Sequence, residues 1–174
     1  NVALVSMGIY LFNTEVLVKR IIEDAKKDTS HDFGKNIIPS LIHEGRLFAY
    51  IFNDKNNKAV KYWRDIGTLD AYWDANMDLI QIEPIFNLYD KSWPIRTYQE
   101  QSPPAKTGFA ELFPGGRCGT VLNSLVSNGC ISSGARVERS VISPNVRIEN
   151  HSEVYDSIIM EGVSIGKNVK IRNT

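Results

Sequence analysis

Asp65 is the residue of this chain whose surroundings most clearly suggest chemistry. It lies in residues 61–68 (KYWRDIGT), where a strand is predicted to end and a helix to begin at the N-cap Thr68. In α/β folds ligands collect at this edge, and a carboxylate beside a glycine suits a Mg²⁺ ion that carries substrate phosphates. The same Asp-x-Gly-Thr pattern is also common in ordinary turns, with the neighbouring tryptophans in the core.

Two other polar residues have a similar double interpretation. Ser6 interrupts an apolar run, and its hydroxyl either bonds to nearby backbone or faces a ligand. Asp32 and Lys35 precede a short predicted helix, where they suit either a cap and a solvated charge or a binding site. From the pattern alone, bonding to backbone and capping are favoured.

The elements that must position these residues alternate between strand and helix patterns. Apolar runs predict strands over residues 2–12, 47–52 and 61–65. Helical spacing predicts helices over residues 14–27, over residues 37–42 with Gly45 as their end, and from Thr68 to before Pro84. Residues 54–59 are predicted to be a polar loop, and residues 84–119, rich in Pro, Gly and aromatics, an ordered extended connector.

From about Thr120 onward, aliphatic residues recur every 16 or 17 positions, which predicts a parallel β-helix with three short strands per coil. The three rows are Ile131, Ile148 and Ile165; Val137, Val154 and Ile171; and Val126, Ile142 and Ile159. Glycines and asparagines between the rows suit the turns: Gly134, Asn145, Asn150, Gly162, Gly166 and Asn168. The repeat is predicted to be scaffold. His151 is the candidate for a catalytic histidine of the hexapeptide acyltransferase kind, but its surroundings do not support that role.

Composition disfavours several classes of function. The 20 Lys and Arg balance the 20 Asp and Glu, which does not favour nucleic-acid binding. No apolar run approaches the roughly 20 residues of a membrane span, and no signal peptide is visible. Cys118 and Cys130 lack metal-ligand spacing, which favours a reducing, cytoplasmic compartment. The chain begins without Met and stops within a repeat, so we expect a fragment of a longer protein, and its open β-helix is expected to self-associate.

Several motifs, in order along the chain, resemble one family. They are Ser-Met-Gly-Ile-Tyr (6–10), His-Asp-Phe-Gly-Lys (31–35), Tyr-Trp-Arg-Asp-Ile-Gly-Thr (62–68), Trp-Pro-Ile-Arg-Thr-Tyr (93–98), Pro-Pro-Ala-Lys (103–106) and Asn-Ser-Leu-Val-Ser (123–127). Together they resemble the C-terminal half of bacterial ADP-glucose pyrophosphorylases, the glucose-1-phosphate adenylyltransferases. The resemblance implies an α/β fold, with the C-terminal part of a Rossmann-like nucleotidyltransferase domain at 1–83, a connector at 84–119 and part of a left-handed parallel β-helix at 120–174.

The resemblance also implies an activity and roles for individual residues. The family forms ADP-glucose and pyrophosphate from ATP and glucose 1-phosphate with Mg²⁺, by positioning and charge neutralisation rather than a protein nucleophile. Ser6 matches a residue that contacts the glucosyl group, and Asp32 a position on the sugar side of the site. Asp65 matches the aspartate that holds Mg²⁺, and Trp63 an aromatic associated with coupling to activators.

The family's regulation and assembly imply further expectations. Arg96, Lys106 and Arg117 are candidates for an anionic sugar-phosphate or nucleotide effector, or else they are solvated loop charges. The family is cytoplasmic, serves glycogen synthesis and generally forms homotetramers. Its nucleotide loop and other phosphate and metal ligands precede this segment, so the chain alone is expected to be inactive. A non-catalytic regulatory subunit and a pyrophosphorylase for another sugar nucleotide are the alternatives.

Overall fold

The computed structural model describes residues 5–42, 47–52, 61–92, 94–109 and 117–174. The chain divides into two compact units, residues 1–63 and 64–174, and each unit has its own architecture. The predicted loop at 54–59, the predicted helix end at Gly45 and the Trp93 of the connector motif lie outside the described residues.

The first unit is built from helices in the described residues. Helix α1 spans Thr14–Asp24, where a helix was predicted, and the side chain of Asn13 caps it by accepting from the backbone of Glu15. A π-helical turn at Phe33–Ile37 continues directly into α2, Ile38–Leu41. The predicted short helix therefore begins earlier than expected, because Asp32 caps the π-helical turn that precedes it.

The three predicted strands of residues 2–12, 47–52 and 61–65 were wrong for the parts that the structure describes. These stretches have no strand assignment, and apolar side chains such as Val5, Ile9 and Leu11 are exposed. A strand is stable only when its backbone N–H and C=O groups bond to a neighbouring strand. Within the described residues no strand pairs with these stretches, so an apolar run alone did not produce a sheet.

The second unit begins with the turn that carries Asp65 and continues into helix α3, Leu69–Asp78. Thr68 caps α3 as predicted, with its hydroxyl accepting from the backbone N–H of Ala71 at 3.2 Å. The Arg64 guanidinium pairs with Asp78 at 2.7 Å, which ties the start of the turn to the last residue of the helix. Among the described residues no helix is long and apolar enough to cross a membrane.

The remainder of the second unit is a parallel β-helix, as the repeat predicted. Its strands in chain order are β1 Lys106–Gly108, β2 Thr120–Leu122, β3 Leu125–Val126, β4 Ile131–Ser133, β5 Arg136–Glu138, β6 Val141–Ile142, β7 Arg147–Ile148, β8 Glu153–Tyr155, β9 Ile158–Ile159, β10 Ser164–Ile165 and β11 Lys170–Arg172. They form three parallel sheets, ordered β1-β4-β7-β10, β2-β5-β8-β11 and β3-β6-β9. Strand β1 comes from the predicted connector and pairs with β4.

Two of the three predicted aliphatic rows are confirmed by the strand register, and the third is corrected. Val137 pairs with Val154, and Ile142 pairs with Ile159, as the spacing indicated. In the first row, however, Ile148 pairs with Ser132 rather than with Ile131. The coil between these strands is one residue shorter than the next, so Ile131 is 36% exposed and Ser132, at 8%, occupies the inward position.

The corners of the β-helix are made by residues with left-handed backbone conformation. One row contains Gly129, Asn145 and Gly162, a second Gly134, His151 and Asn168, and a third Asn123, Arg139, Asp156 and Asn173. Four of the predicted turn residues are confirmed in these rows: Gly134, Asn145, Gly162 and Asn168. His151 shares its row with a glycine and an asparagine, so its place is that of a corner residue.

A ladder of hydroxyl groups, which the aliphatic spacing did not predict, joins successive coils at one corner. Ser140 Oγ donates to the carbonyl of Glu138 and accepts from the backbone N–H of Ser157 in the next coil. Ser157 Oγ repeats this pattern toward Tyr155 and Thr174, at 2.6 and 3.2 Å. Because each buried hydroxyl has both a donor and an acceptor role, the ladder satisfies backbone groups that face the interior.

Candidate functional site

An open concavity on the first unit collects two of the residues singled out by the sequence, Ser6 and Asp32. It lies between the segment that precedes α1 and the π-helical turn, with Leu17 of α1 on its wall. Its lining consists of Ser6, Gly8, Tyr10, Phe12, Leu17, His31, Asp32, Phe33 and Gly34. Two motifs separated by twenty residues, 11–30, therefore share one surface.

Ser6 bonds to nearby backbone, the alternative that the pattern favoured, and it also lines the concavity. Its Oγ accepts from the backbone N–H of Gly8 at 3.2 Å and lies 3.0 Å from the hydroxyl of Tyr10. Gly8 has a φ of 72°, a conformation that glycine adopts without strain. The local turn thus holds the Ser6 and Tyr10 hydroxyls together at the edge of the concavity.

Asp32 is a helix cap, as its position predicted, and it also lines the concavity. Its Oδ1 accepts from the backbone N–H of Lys35 at 2.8 Å. A Cβ atom on Gly34 would come within 3.3 Å of that same oxygen, so the glycine leaves the carboxylate room. Capping fixes the orientation of the carboxylate and leaves it exposed on the surface of the concavity.

Aromatic rings form the apolar part of the concavity. Tyr10 stacks on Phe33 with ring centroids 6.1 Å apart, and Phe12 packs against both rings at 6.4 and 5.9 Å. Aromatic faces beside hydroxyl and carboxylate groups suit a ligand with both C–H and O–H surface, such as a sugar.

His31, one of the lining residues, forms a hydrogen-bonded cluster with Thr29 and Asp24. His31 Nδ1 lies 2.8 Å from Asp24 Oδ2, and Thr29 Oγ1 lies 3.1 Å from each Asp24 carboxylate oxygen. The hydrogen bond from His31, followed by that from Thr29, lowers the pKa of the Asp24 carboxyl below its ordinary value, although burial opposes this. The carboxylate is therefore ionised at neutral pH.

Asp65 is a turn residue in the second unit, and it is not among the residues that line the concavity. Its Oδ1 accepts from the backbone N–H of Gly67 at 3.0 Å, which is the ordinary-turn interpretation. The side chain is exposed, so the carboxylate can also be reached by a ligand. Within the described residues no three His, Cys, Asp or Glu side chains come together as a metal site, so Asp65 offers one carboxylate.

Comparison with known proteins gives two family matches and many close relatives. Residues 2–82 match the family described as "Nucleotidyl transferase", and residues 103–174 match "GlmU-like, C-terminal hexapeptide". The chain is 52% identical to the glucose-1-phosphate adenylyltransferase of Koribacter versatilis over 97% of its own length and 40% of the relative's. For the enzyme of the same name from Rhodopirellula baltica, identity is 49% over 99% of this chain and 39% of the relative. Over nearly its whole length, the chain is therefore similar to glucose-1-phosphate adenylyltransferases.

The chain spans about 40% of the length of these relatives. Glucose-1-phosphate adenylyltransferase 2 of Vibrio cholerae gives the same picture, with 47% identity over 97% of this chain and 42% of the relative. The two family matches confirm the predicted fold class, a nucleotidyltransferase region followed by a β-helix of hexapeptide repeats.

The residues expected to meet effectors of this adenylyltransferase family are on different elements. Lys106 begins β1, and Arg96 lies in the extended segment before it; both side chains are exposed. Arg117 is half-buried and pairs with Glu153 at 3.6 Å, a carboxylate that Lys170 also approaches. Trp63, the last residue of the first unit, is half-exposed rather than in the core.

Three features of the site were missed from the sequence. Tyr10 and Phe33 belong to the two family motifs, and the motifs themselves were the signal that could have identified them. The contact of His31 with Asp24, seven residues earlier, could not be identified because nothing in the sequence shows that the two are partners. Trp73 was assigned to a core, whereas its indole N–H donates to the carbonyl of Arg139 at a corner of the β-helix.

Proposed function

We propose that this chain is part of an enzyme that forms ADP-glucose and pyrophosphate from ATP and glucose 1-phosphate, in the synthesis of glycogen. One observation carries the proposal: Ser6 and Asp32, from two separate motifs, meet in one aromatic-lined concavity of a chain that resembles adenylyltransferases over 97% of its length. The concavity is proposed as the site of the glucosyl group. Hydroxyl and carboxylate groups are suitable partners for sugar hydroxyls, and the rings for the sugar's C–H face.

Asp65 is proposed as a ligand of a Mg²⁺ ion. Its exposed carboxylate supplies the hard oxygen that Mg²⁺ prefers, and Mg²⁺ sites commonly combine one or two carboxylates with substrate phosphates. When bound, the ion would neutralise negative charge on the phosphates during transfer. The hydrogen bond from Gly67 and the cap of α3 at Thr68 hold this turn in a defined conformation.

The test is an assay of the full-length parent protein, in which pyrophosphate release from ATP and glucose 1-phosphate is measured. Asp65→Asn is expected to lower kcat/KM by about a hundredfold or more, since it removes a charged group acting on the developing charge. Asp70→Asn is the matched control. Asp70 is also an exposed carboxylate, five residues after Asp65, and it lies in the first turn of α3. An inactive wild-type parent would overturn the proposed function, and equal activity of the two variants would overturn the metal role.

The 174-residue chain alone is expected to release no pyrophosphate. Ser6, Asp32 and Asp65 can contact a sugar and one metal ion, but holding two substrates in line requires more phosphate and nucleotide ligands. Measurable ADP-glucose synthesis by the purified chain would contradict this expectation.

Regulation by anionic effectors, a sugar phosphate or a nucleotide, is proposed to involve Arg96 and Lys106, with Trp63 in the coupling to the site. Their exposed cationic groups suit phosphate recognition, whereas Arg117 must leave Glu153 in order to bind. In the parent enzyme, Arg96→Ala and Lys106→Ala are expected to weaken the activator response more than Arg117→Ala. Lys167→Ala, an exposed lysine on the β-helix, is the control. An unchanged response in all variants would remove this proposal.

We also propose that the parent protein is a cytoplasmic homotetramer. The support is the resemblance to the family, whose members generally assemble in this way. Light scattering of the full-length protein, with the mass of four subunits expected, tests the assembly.

A further inference from the structure

His31 is a lining residue of the concavity, and its ring is held from behind by a buried carboxylate. Asp24 is only 7% exposed, and its Oδ2 lies 2.8 Å from His31 Nδ1. Thr29 fixes the same carboxylate through its hydroxyl and accepts the backbone N–H of His31 at 3.1 Å. The ring and the backbone of His31 are therefore both anchored to one cluster.

The backbone of His31 is held in an uncommon conformation. Its φ is 54°, in the left-handed region that few residues other than glycine adopt, although histidine occurs there more often than most. A residue with a side chain is kept in this region by surrounding contacts, and such residues occur at ligand sites as well as in turns. Here Thr29 and Asp24 supply the contacts.

The arrangement leaves one ring nitrogen of His31 available. Because Nδ1 faces an ionised carboxylate, Nδ1 carries the ring proton, and Nε2 has no partner among the described residues. The side chain is 56% exposed although it is anchored, so a ligand in the concavity can reach it. A carboxylate that orients a histidine in this way is a recurrent device for presenting the other nitrogen to a ligand.

We propose that His31 is a substrate-positioning residue, whose Nε2 accepts a hydrogen bond from a hydroxyl group of glucose 1-phosphate in the concavity, and that Asp24 acts through His31 by fixing the ring. This inference rests on the proposed function, because it takes its ligand from that reaction. Ser6 and Asp32 supply groups on the same surface, so His31 adds a nitrogen to a set of oxygen groups. That addition favours a ligand that presents a hydroxyl group to Nε2 as a donor.

The decisive variant in the full-length enzyme is His31→Asn. Asparagine tolerates a positive φ and can place an amide donor where Nδ1 lies, so the contact to Asp24 is retained while Nε2 is lost. The loss of one substrate hydrogen bond is expected to raise the KM for glucose 1-phosphate roughly tenfold and to leave the KM for ATP within about twofold. Asp24→Asn is expected to give a smaller rise, about threefold, since the ring remains but is less firmly oriented.

His151→Asn is the matched control, because His151 also has a positive φ of 61° but lies at a corner of the β-helix. It is expected to change neither KM. Calorimetric binding of glucose 1-phosphate without ATP gives a second readout that does not depend on turnover, and His31→Asn is expected to weaken it by the same factor.

The outcomes separate this inference from the proposed function. If the wild type is active but His31→Asn leaves the KM and the calorimetric affinity for glucose 1-phosphate unchanged, the role of His31 is excluded and the function stands. If His31→Asn lowers the melting temperature and raises both KM values equally, its role is structural, and the proposal fails. If the wild type neither turns over nor binds glucose 1-phosphate, both proposals fall.

Discussion

Aliphatic side chains have opposite fates in the two units. In the β-helix, Val137 and Val154 are 1% and 0% exposed, whereas in α1 Val18 and Ile22 are each 51% exposed. Both sets are regularly spaced in the sequence. In the β-helix the spacing matches one coil, and in α1 it matches one turn of an α-helix. Regular spacing therefore selects a local structure but does not by itself supply a partner surface.

The difference lies in where the partner comes from. Each coil of the β-helix covers the next, so a residue finds its neighbour 16 or 17 positions away, and the core forms within the repeat. The stripe of α1 requires a separate element to pack against. The described part of the first unit buries few residues, among them Ile37, Leu41 and the polar Asp24.

The largest expected effect on the free energy of unfolding is the loss of a buried aliphatic side chain in the β-helix, compared with the same loss on α1. Ile142→Ala is expected to destabilise the β-helix by about 2–5 kcal/mol, because Ile142 is buried among other coils. Ile22→Ala, the same change on α1, is expected to stay within about 0.5 kcal/mol. Urea unfolding of the chain, followed by circular dichroism, measures both. Similar losses for the two variants would show that α1 has a buried face.

Two buried serine hydroxyls of the β-helix test how hydrogen bonding, and not only burial, affects the free energy of unfolding. Ser157→Val is expected to cost about 1–3 kcal/mol, since it breaks the bonds to Tyr155 and Thr174. Ser132→Val is expected to stabilise by about 1 kcal/mol, because Ser132 Oγ is buried with no hydrogen-bond partner in the described part of the chain and lies in line with Ile148. The same substitution thus has opposite signs, and equal signs in urea unfolding would contradict the assignment of these hydrogen bonds.

Helix α3 differs from α1 in having a specific contact with the β-helix. The indole N–H of Trp73 donates to the Arg139 carbonyl at 3.0 Å, and the Arg139 guanidinium lies 5.2 Å from the ring centre. Trp73→Phe is expected to cost about 0.5–1.5 kcal/mol through the lost hydrogen bond. Tyr72→Phe, at an exposed ring on the same helix, is the control. An equal, negligible effect in thermal unfolding would show that α3 is not anchored there.

The smallest expected effect is a dependence of the first unit's stability on pH in the acidic range. The pKa of Asp24 is lowered in the folded state, first by the hydrogen bond from His31, so its ionised form adds stability above its ordinary pKa of 3.8. That contribution is lost as the pH falls through the lower folded-state pKa. An NMR titration of the Asp24 carboxyl carbon is expected to have a midpoint below the ordinary value, and His31→Ala is expected to move it upward. An unchanged midpoint in that variant would exclude the contact.

The sequence by itself determined the β-helix, the caps and the chemical character of the candidate site. The rows through Val137 and Ile142, the cap at Thr68 and the cap at Asp32 all agree with the structure. These features depend on interactions between near neighbours or on a strict repeat, and such interactions are visible as spacing.

Only the tertiary structure decided the register, the pairing and the grouping of side chains. A coil shorter by one residue placed Ser132 rather than Ile131 inside, which a regular spacing of 17 concealed. The strands predicted before Asp65 have no pairing within the described residues, since a strand depends on a neighbour that an apolar run does not specify. The contact of Asp24 with His31, and the meeting of Ser6 with Asp32, arise from the path of the chain between them. Contacts of this kind depend on backbone conformation, such as the positive φ of His31, which the residue type alone does not determine.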